Sequence, residues 1–406
     1  MKTLEIMRSI TLGVLFLGAT TLLSSSLSFA GEANSQFSYE KHITVSTLAG
    51  QCTGDYPSYS DGRGRDARFS VPGGMAVDLA GNLYVADLQN YVIRKITSDG
   101  VVTTIAGSPT LRGSADGTGS NAQFDLPWGI AVGPSGNIYV ADGGNNTIRK
   151  ITPQGVVTTL AGVAKNAGHV DGKGASARFY NPIGIAVDNS ENIYVSDGPT
   201  WYSGIDPKLY SIRKITPDGV VSTFVKNYSI FDHEMQSGDL SYPSALAVDS
   251  SGNIYVSGGG GLLKFNPSGE EMMFWDADGS PNSWGAIVVD TSGNIFKVSQ
   301  PTSVAPSSGM IVKYSPKASD TGRTETSTTI LAGKLVQFSL SRYLKNRDED
   351  RASVIYDRDG SGKHAVFSDL SNMWWTPSAG IAIDRLTGNV YVAEACGSIR
   401  KIEVRN

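Results

Sequence analysis

Residues 126–162 read LPWGIAVGPSGNIYVADGGNNTIRKITPQGVVTTLAG, and this stretch decides the fold. It contains four short apolar runs, GIAV, NIYVA, TIRKI and VVTTLA, each followed by a turn signal containing Gly, Pro, Asn or Asp. Runs of this length that are rich in Val, Ile, Thr and Tyr are typical of β-strands. Four strands joined by tight turns predict an antiparallel sheet, which needs neighbouring sheets to cover its two faces.

The same pattern recurs along the chain. Residues 71–107 repeat it closely, and further copies lie at 181–225, 242–275, 283–333 and from 376 onward. The last copy, TPSAGIAIDRLTGNVYVAEACGSIRKIEV, supplies only three strands, and ITVSTLAG at 43–50 matches the missing fourth. The sequence therefore predicts an all-β fold: a six-bladed β-propeller of four-stranded antiparallel blades, in which the N-terminal strand closes the last blade.

The recurring motif Asn-Ile/Leu-Tyr-Val-Ala/Ser-Asp, followed by Ile-Arg-Lys-Ile, resembles the NHL-repeat family of β-propellers. The resemblance covers nearly all of the chain after its first 42 residues. It is specific in the first three copies and weaker in the fourth and fifth. Propellers of the YWTD type are the nearest rival, but that tetrapeptide is absent here, whereas Tyr-Val-Ala-Asp occurs twice.

The net charge restricts the class of partner, and the N-terminal segment predicts the cellular location. The 406 residues carry a formal net charge of −4 and no Lys/Arg block, which argues against a nucleic-acid partner. Lys2 and Arg8, an apolar run over 10–23 and a small-x-small SFA sequence predict a secretory signal peptide over 1–30. The apolar run is short for a membrane span. We therefore expect a secreted or periplasmic protein.

The rest of the chain divides simply. A polar lead-in (31–42) precedes a single propeller domain (43–406), whose closing strand is 43–50. A long insertion, 334–375, separates the fifth and sixth blades. Four copies of Asp-Gly-x-Gly-x-x-Ala-x-Phe recur at equivalent places before blades, at 61–69, 116–124, 171–179 and 359–367. We interpret these copies as architectural, with Gly and Asp forming the turn and Ala and Phe filling the seam between blades.

The two cysteines predict a bond that fastens the ring. In the repeat register Cys396 aligns with Asn90 and Cys52 aligns with Pro109, and these two positions face each other across the third and outer strands of blade 1. An exported protein meets oxidising conditions. We therefore expect a disulfide that contributes on the order of 2–4 kcal/mol against opening of the last blade.

One face of the predicted propeller carries the longer loops. Insertions at 199–210, 300–308 and 334–375 all fall there, either as binding loops or as tolerated insertions. Aromatic residues on this face are candidates for ligand contacts, although some are expected to pack between blades: Trp128, Tyr180, Trp201, Tyr202, Tyr242, Trp284, Trp374 and Trp375. Trp201 and Tyr202 are the strongest candidates for exposed contacts.

The mouth of the central channel on the same face is a second candidate site. Asp87, Asp142, Asp197 and Glu394 end the second strands of their blades, where they could form a sparse acidic ring. Lactonase-like propellers hold calcium at the channel with carboxylates and amides, so the resemblance implies this use. The alternative is that these side chains accept hydrogen bonds from backbone amides of the next turn.

Metal-binding motifs are incomplete. Amidating lyases of the NHL class hold zinc with histidines around the channel, but none of the histidines of this chain falls on an inner strand: His42, His169, His233 and His364. Asp357, Asp359 and Ser361 open a calcium-type loop, yet Ser368 stands where that loop needs glutamate. No cofactor is therefore expected, with Ca²⁺ as the alternative.

These observations favour a secreted, non-enzymatic binding propeller that recognises a protein, peptide or glycan through its loop-rich face. The alternative is a metal-dependent lyase or lactone hydrolase with a site at the channel mouth. A third hypothesis is a scaffold that only displays loops. The sequence contains no recognisable Ser-His-Asp or Cys-His arrangement and no phosphate-binding loop.

Overall fold

Six sheets form the six blades of a β-propeller, which confirms the predicted fold class. The computed structural model describes residues 38–39, 43–52, 58–198, 210–226, 241–259, 261–275, 285–299, 310–317, 325–332, 360–361, 380–394 and 396–404. The predicted signal peptide and most of the 334–375 insertion lie outside these described residues. Within each blade the chain runs from an inner strand at the central channel to an outer strand at the rim.

The strands follow the repeats closely. Two strands come first, Ser38–Tyr39 (β1) and Ile43–Gly50 (β2), and the blades then follow in chain order. Blade 1 contains Gly62–Arg63 (β3), Pro72–Val77 (β4), Leu83–Asp87 (β5), Val92–Ile96 (β6) and Val101–Gly107 (β7). Blade 2 contains Gly117–Thr118 (β8), Pro127–Val132 (β9), Ile138–Asp142 (β10), Thr147–Ile151 (β11) and Val156–Gly162 (β12). Blade 3 contains Gly172–Lys173 (β13), Ile185–Val187 (β14), Ile193–Asp197 (β15), Ser211–Ile215 (β16) and Val220–Lys226 (β17).

The last three blades are less regular in their strand lengths. Blade 4 contains Ser241–Val248 (β18), Ile254–Gly259 (β19), Gly261–Phe265 (β20) and Glu271–Trp275 (β21). Blade 5 contains Ile287–Val289 (β22), Ile295–Ser299 (β23), Met310–Lys317 (β24) and Glu325–Ala332 (β25). Blade 6 contains Gly360–Ser361 (β26), Ile381–Ile383 (β27), Val390–Glu394 (β28) and Ser398–Val404 (β29).

The N-terminal strand closes the ring. β2 pairs antiparallel with β29, with Val45 opposite Ile402 and Ala49 opposite Ile399, as the repeat pattern predicts. β1, which falls inside the predicted polar lead-in, pairs in parallel with β25 of blade 5. The N-terminal segment therefore contributes strands to two adjacent blades, whereas the sequence pattern indicated only one.

The Asp-Gly-x-Gly segments add a two-residue strand outside the outer strand of four blades. The first three copies continue into short 3-10 helices: Gly64–Asp66, Gly119–Asn121 and Gly174–Ser176. The Ala and Phe that end these copies are at most 1% exposed: Ala67, Phe69, Ala122, Phe124, Ala177 and Phe179. Phe124, for example, packs with Ile93 of blade 1 and Ile138 of blade 2. The hydrophobic core is thus a series of seams between blades.

A disulfide joins Cys52 to Cys396, with 4.8 Å between their Cα atoms. Cys52 lies two residues after the end of the closing strand β2, and Cys396 lies in the turn between β28 and β29. The bond therefore fastens the first described part of the propeller to the last. The predicted pairing of the two cysteines is confirmed.

We expect the variant Cys52→Ser/Cys396→Ser to have a free energy of unfolding about 2–4 kcal/mol lower than the wild type, because the open chain then has more conformations available. Chemical denaturation with and without a thiol reductant measures this difference. The control is the variant itself, which should not respond to reductant. Equal stability of oxidised and reduced wild type would contradict the prediction.

The turn between the first and second strands of most blades is held by an aspartate. In blade 1, Asp78 accepts hydrogen bonds from Ala80 N at 2.9 Å and Asn82 N at 2.8 Å, and from the Tyr84 hydroxyl at 3.1 Å. Asp188 and Asp249 make the same contacts in blades 3 and 4. These aspartates therefore stabilise turns, as expected for their positions.

Blade 2 replaces this aspartate with Gly133 and borrows a carboxylate from the next blade. Glu191 of blade 3 accepts hydrogen bonds from Ser135 N at 2.7 Å and from the Tyr139 hydroxyl at 2.6 Å. Burial opposes ionisation here, but these donors hold the pKa of Glu191 below its usual range. A Cβ atom on Gly133 would lie 2.5 Å from Glu191 Oε1, so the glycine and the glutamate require each other.

We expect Gly133→Asp and Glu191→Gly each to destabilise the protein, because the first sets two carboxylates against each other and the second removes the acceptor. The double variant restores the pattern of the other blades. Its loss of unfolding free energy should be smaller than the sum of the single losses by roughly 0.5–3 kcal/mol. Additive losses in a double-mutant cycle would show that the two residues are not coupled.

Candidate functional site

The four carboxylates predicted at the channel mouth are buried inside the blades. Asp87, Asp142, Asp197 and Glu394 are each at most 1% exposed, and none of them lines the central channel. Asp142 Oδ1 accepts a hydrogen bond from Asp125 N at 2.8 Å, and Oδ2 accepts from Asn145 Nδ2 at 2.8 Å and Arg149 Nη1 at 2.9 Å. The strand ends therefore do not form an acidic ring that faces the channel, because each carboxylate turns toward an arginine.

Each of these carboxylates belongs to a cluster of buried polar side chains, and the arginine of the Ile-Arg-Lys-Ile segment lies at the centre of that cluster. Arg149 is fully buried on β11, and its Nη2 donates to Ala115 O at 2.9 Å and to Asp116 Oδ1 at 2.7 Å. Its guanidinium lies over the Phe124 ring, 5.1 Å from the centroid. Asp116 and Phe124 belong to the Asp-Gly-x-Gly copy, so that motif binds the arginine in addition to forming a turn.

The equivalent clusters repeat in blades 1 and 3. Arg94 Nη1 lies 2.9 Å from Asp87 Oδ2, and Arg94 Nη2 lies 2.7 Å from Asp61 Oδ1. In blade 3, Arg213 pairs with Asp197 at 3.1 Å and with Asp171 at 2.7 Å. Sequence reasoning missed this cluster, although the joint recurrence of one arginine and two aspartates in the first three copies was available as a signal.

Blades that lack the acid also lack the arginine. Leu263 of β20 and Val312 of β24 occupy the arginine position and are 1% and 2% exposed. Gly258 and Ser299 occupy the aspartate position in the same two blades. A buried ion pair can be exchanged for apolar groups when both partners change together. This joint replacement supports a structural role for the carboxylates.

Burial raises the pKa of Asp87 and of Asp142 to about 6, against the opposing influence of the arginine, the asparagine and a backbone amide. The ordinary aspartate pKa in an unfolded chain is about 3.9. Because the folded value is the higher one, the titration of each carboxyl stabilises the fold most below about pH 4. That contribution is lost as the pH rises through about 6.

We expect Arg149→Met to lower the free energy of unfolding by about 3–5 kcal/mol at pH 7, because Asp142 is left buried without its cation. The loss should be smaller at pH 5, where Asp142 carries a proton. Urea denaturation at the two pH values measures both effects. Lys150→Met, at a partly exposed neighbouring position on the same strand, is the matched control. An equal loss at both pH values would contradict the assignment.

In blade 3 a histidine takes the place of the asparagine. Asn145 Nδ2 donates to Asp142, whereas His169 Nδ1 lies 3.2 Å from Asp197 Oδ2. The His169 ring stacks on Tyr180 at 5.9 Å between centroids, with an interplanar angle of 1°. Tyr180, a predicted ligand contact, is partly exposed beside this pair. Sequence reasoning placed His169 off the inner strands but gave it no role.

Trp128 packs over the turn between β10 and β11. A Cβ atom on Gly143 would lie 2.3 Å from Trp128 Cδ1, so the indole covers that glycine closely. Trp128 is only partly exposed and lines the channel at its loop-rich end. The other aromatic candidates lie outside the described residues or, for Tyr242 in β18, have a side chain outside them: Trp201, Tyr202, Tyr242, Trp284, Trp374 and Trp375.

Metal-binding groups are few in the part of the chain that the structure describes. The one group of three close His, Cys, Asp or Glu side chains there is Cys52, Glu394 and Cys396, and the disulfide takes two of the three. Glu394 accepts a hydrogen bond from the Ser398 hydroxyl and lies 3.6 Å from Arg400 Nη1. Asp357 and Asp359 lie outside the described residues, as does the side chain of Ser361.

The central channel is lined mainly by small and apolar residues and encloses about 390 Å³. Glycines set its width: a Cβ atom on Gly129 would lie 2.3 Å from Ile183 O, and one on Gly380 would lie 2.1 Å from Gly73 O. The aspartates that line it, Asp78, Asp188 and Asp384, accept hydrogen bonds within their own turns. Among the described residues, the channel therefore offers apolar surface and no convergent set of ligating carboxylates.

Comparison with known proteins agrees with this architecture. Residues 124–151 match the family model of the NHL repeat. The chain is 27% identical to teneurin-3 of Mus musculus over 271 residues, which cover 57% of this chain and 9% of teneurin-3. It is 30% identical to NHL repeat-containing protein 2 of Homo sapiens over 144 residues, which cover 32% of this chain and 20% of that protein. The chain thus corresponds to a small part of each relative.

Solved structures share the fold. A structural genomics protein of unknown function from Bacteroides thetaiotaomicron matches 90% of this chain and 76% of its own, with a TM-score of 0.56 and 18% identity. A gluconolactonase from Xanthomonas campestris matches 88% of this chain and 89% of its own, with a TM-score of 0.51 and 14% identity. At these identities the likeness shows the fold alone.

The chain is a six-bladed β-propeller that contains a match to the NHL repeat at residues 124–151 and is similar in sequence to NHL-repeat proteins. In the described residues, no helix is both long enough and apolar enough to cross a membrane.

Proposed function

We propose that this chain is an exported, non-enzymatic propeller that binds a protein, peptide or glycan through its loop-rich face. The observation that carries the proposal is the saturation of the second-strand carboxylates. Both oxygens of Asp87 and of Asp142 accept hydrogen bonds from groups inside the protein. Three of the roughly four lone-pair positions of each carboxylate are used and neither side chain is exposed, so neither is well placed to bind a metal or to act as a general base.

The position of the insertions supports binding on the opposite side from the short turns. One insertion separates Asp197, the end of β15, from Ser211, the start of β16. A second separates Ser299 and Met310 in blade 5. The strand ends that border both insertions lie at the loop-rich end of their blades. A rigid scaffold with variable loops is a common basis for binding sites.

The proposal extends to the parts of the chain that the structure does not describe. Residues 1–30 serve as an export signal, 31–42 as a lead-in and 43–406 as one propeller domain. A disulfide is consistent with oxidising surroundings. The proposal includes no cofactor; Asp357, Asp359 and Ser361 form a plain turn in it, and Ca²⁺ bound there is the alternative.

The test is a binding screen on the purified protein, combined with elemental analysis. We expect binding to a protein, peptide or glycan that Trp201→Ala and Tyr202→Ala weaken at least roughly tenfold, the effect of losing one buried aromatic contact. The matched control is Leu79→Ala, because Leu79 is 76% exposed on the opposite face. Stoichiometric zinc or calcium together with turnover of a lactone would instead favour the hydrolase alternative.

A further inference from the structure

Two exposed cations share one buried carboxylate at the loop-rich end of blade 2. Arg112 Nε donates to Asp125 Oδ1 at 2.7 Å, and the Lys165 ammonium group donates to Asp125 Oδ2. The side chains of Arg112 and Lys165 are 56% and 60% exposed, whereas that of Asp125 is 2% exposed. We call Arg112 and Lys165 the blade 2 cation pair. Because both contact the same carboxylate, they lie side by side and bring two positive charges to a surface that holds one negative charge.

Asp125 is ionised in this arrangement. Burial opposes its ionisation, but the hydrogen bonds and charges of Arg112 and Lys165 hold the pKa of the carboxyl below its usual range. Two further carboxylates nearby, Asp116 and Asp142, pair with Arg149 instead. In the part of the chain that the structure describes, Asp125 is thus the one carboxylate that pairs with the blade 2 cation pair.

The guanidinium of Arg112 is held in place while its outer end stays available. Asp125 fixes Nε, and the Tyr91 ring lies beneath the guanidinium, with its centroid 5.6 Å from Cζ. The terminal Nη1 and Nη2 groups donate to no described residue. A guanidinium that is oriented in advance and presents both terminal groups matches the two oxygens of a carboxylate, and little freedom remains to be lost on binding.

The repeat itself does not require a carboxylate at the position of Asp125. Ser70 and Tyr180 occupy this position in blades 1 and 3, because in all three blades its backbone N donates to the carboxylate that ends the second strand. Blade 2 also makes room for the acid. A Cβ atom on Gly144 would lie 2.7 Å from Asp125 Cγ, and blade 1 has Gln89 at the position of Gly144.

The two cations are likewise specific to blade 2. Thr110 occupies the Lys165 position in the preceding loop, with the same left-handed backbone (φ 72° and 62°). Ala167 occupies the Arg112 position in the following loop, one residue before the glycine that donates to the carbonyl of the seam phenylalanine. The acid, the space for it and both cations therefore occur as one set. Exposed ion pairs contribute little to stability, so folding alone is a weak reason for this set.

The surroundings of the blade 2 cation pair indicate the kind of anion that fits. Leu111, the residue before Arg112, is 54% exposed and offers an aliphatic surface beside the charge. Sugar rings pack mainly on aromatic faces, and the guanidinium of Arg112 already takes one face of Tyr91. An acidic side chain next to an aliphatic one in a polypeptide uses both the cations and the leucine.

We propose that the blade 2 cation pair binds an aspartate or glutamate side chain of a protein partner, with Leu111 contacting an aliphatic residue next to that acid. This inference rests on the proposed binding function and specifies the chemistry of the partner. It places the contact wholly on described residues, on loops other than the insertion that carries Trp201 and Tyr202.

The experiment uses the full chain and an array of peptides in which Glu or Asp adjoins Leu or Val, each with a matched copy that carries Gln or Asn. Calorimetry then measures the dissociation constant of the tightest acidic peptide. Arg112→Gln should weaken it roughly tenfold or more, because a hydrogen-bonded ion pair is lost. Arg112→Lys should also weaken it, because the ammonium keeps the charge but not the two terminal donors. Arg63→Gln is the matched control, since Arg63 is 68% exposed, pairs with Asp99 at the opposite end of blade 1, and should leave the constant unchanged.

Stability and salt separate a binding role from a structural one. All three variants should unfold at nearly the wild-type temperature, because each alters only an exposed ion pair. Added salt should weaken the acidic peptide and spare its neutral copy. Equal binding of the acidic and neutral copies, or an unchanged constant in Arg112→Gln, would overturn the inference.

Two further outcomes keep this inference separate from the proposed function. Binding of oligogalacturonate through Arg112, with no acidic peptide bound, would overturn the protein partner and leave a glycan-binding propeller. Binding that depends on Trp201 and Tyr202 but not on Arg112 would reject this contact and leave the proposed function standing. Absence of any bound peptide, protein or glycan in both screens would reject both.

Discussion

In blades 1 to 3 a buried arginine needs two carboxylates to neutralise its charge, and this need fixes the position of the loop that precedes each blade. Arg149 on the third strand reaches Asp142 on the second strand and Asp116 in the loop that arrives from the preceding blade. Taking an unpaired guanidinium out of water would be very costly, so the strand and the loop are held in the one arrangement that supplies both carboxylates. Where this arrangement is absent, in blades 4 and 5, acid and arginine have been lost together.

This use of charge has a consequence for chemistry at the strand ends. Carboxylates that sit near a propeller channel are available for catalysis only if their lone pairs are free. Here they are committed to arginine, asparagine and backbone donors. Among the described residues, the buried polar atoms without a hydrogen-bond partner include neutral groups, such as Thr147 Oγ1 and Asn181 Nδ2, and the Nε atoms of Arg94, Arg149 and Arg213.

Sequence could predict the ring, its closure and the cysteine pairing because all three depend on the repeat register alone. The pairing of Val45 with Ile402 follows from counting residues along matched copies. The direction of the Asp142 side chain could not be read the same way, since it depends on Arg149 seven residues later and on a loop from another blade. The exchange between Gly133 and Glu191 was hidden for the same reason. Aligning the repeats shows which residues recur, but it does not show which side chains of different repeats touch.

The pairing of β2 with β29 also constrains when the molecule can be completed. β2 is among the first propeller residues to leave the ribosome, and its partner β29 is among the last. Until β29 emerges, β2 presents an open edge that could pair with other chains. A product that stops before β29 would therefore expose that edge permanently and become a substrate for proteases. The ring can therefore close only after synthesis has reached β29.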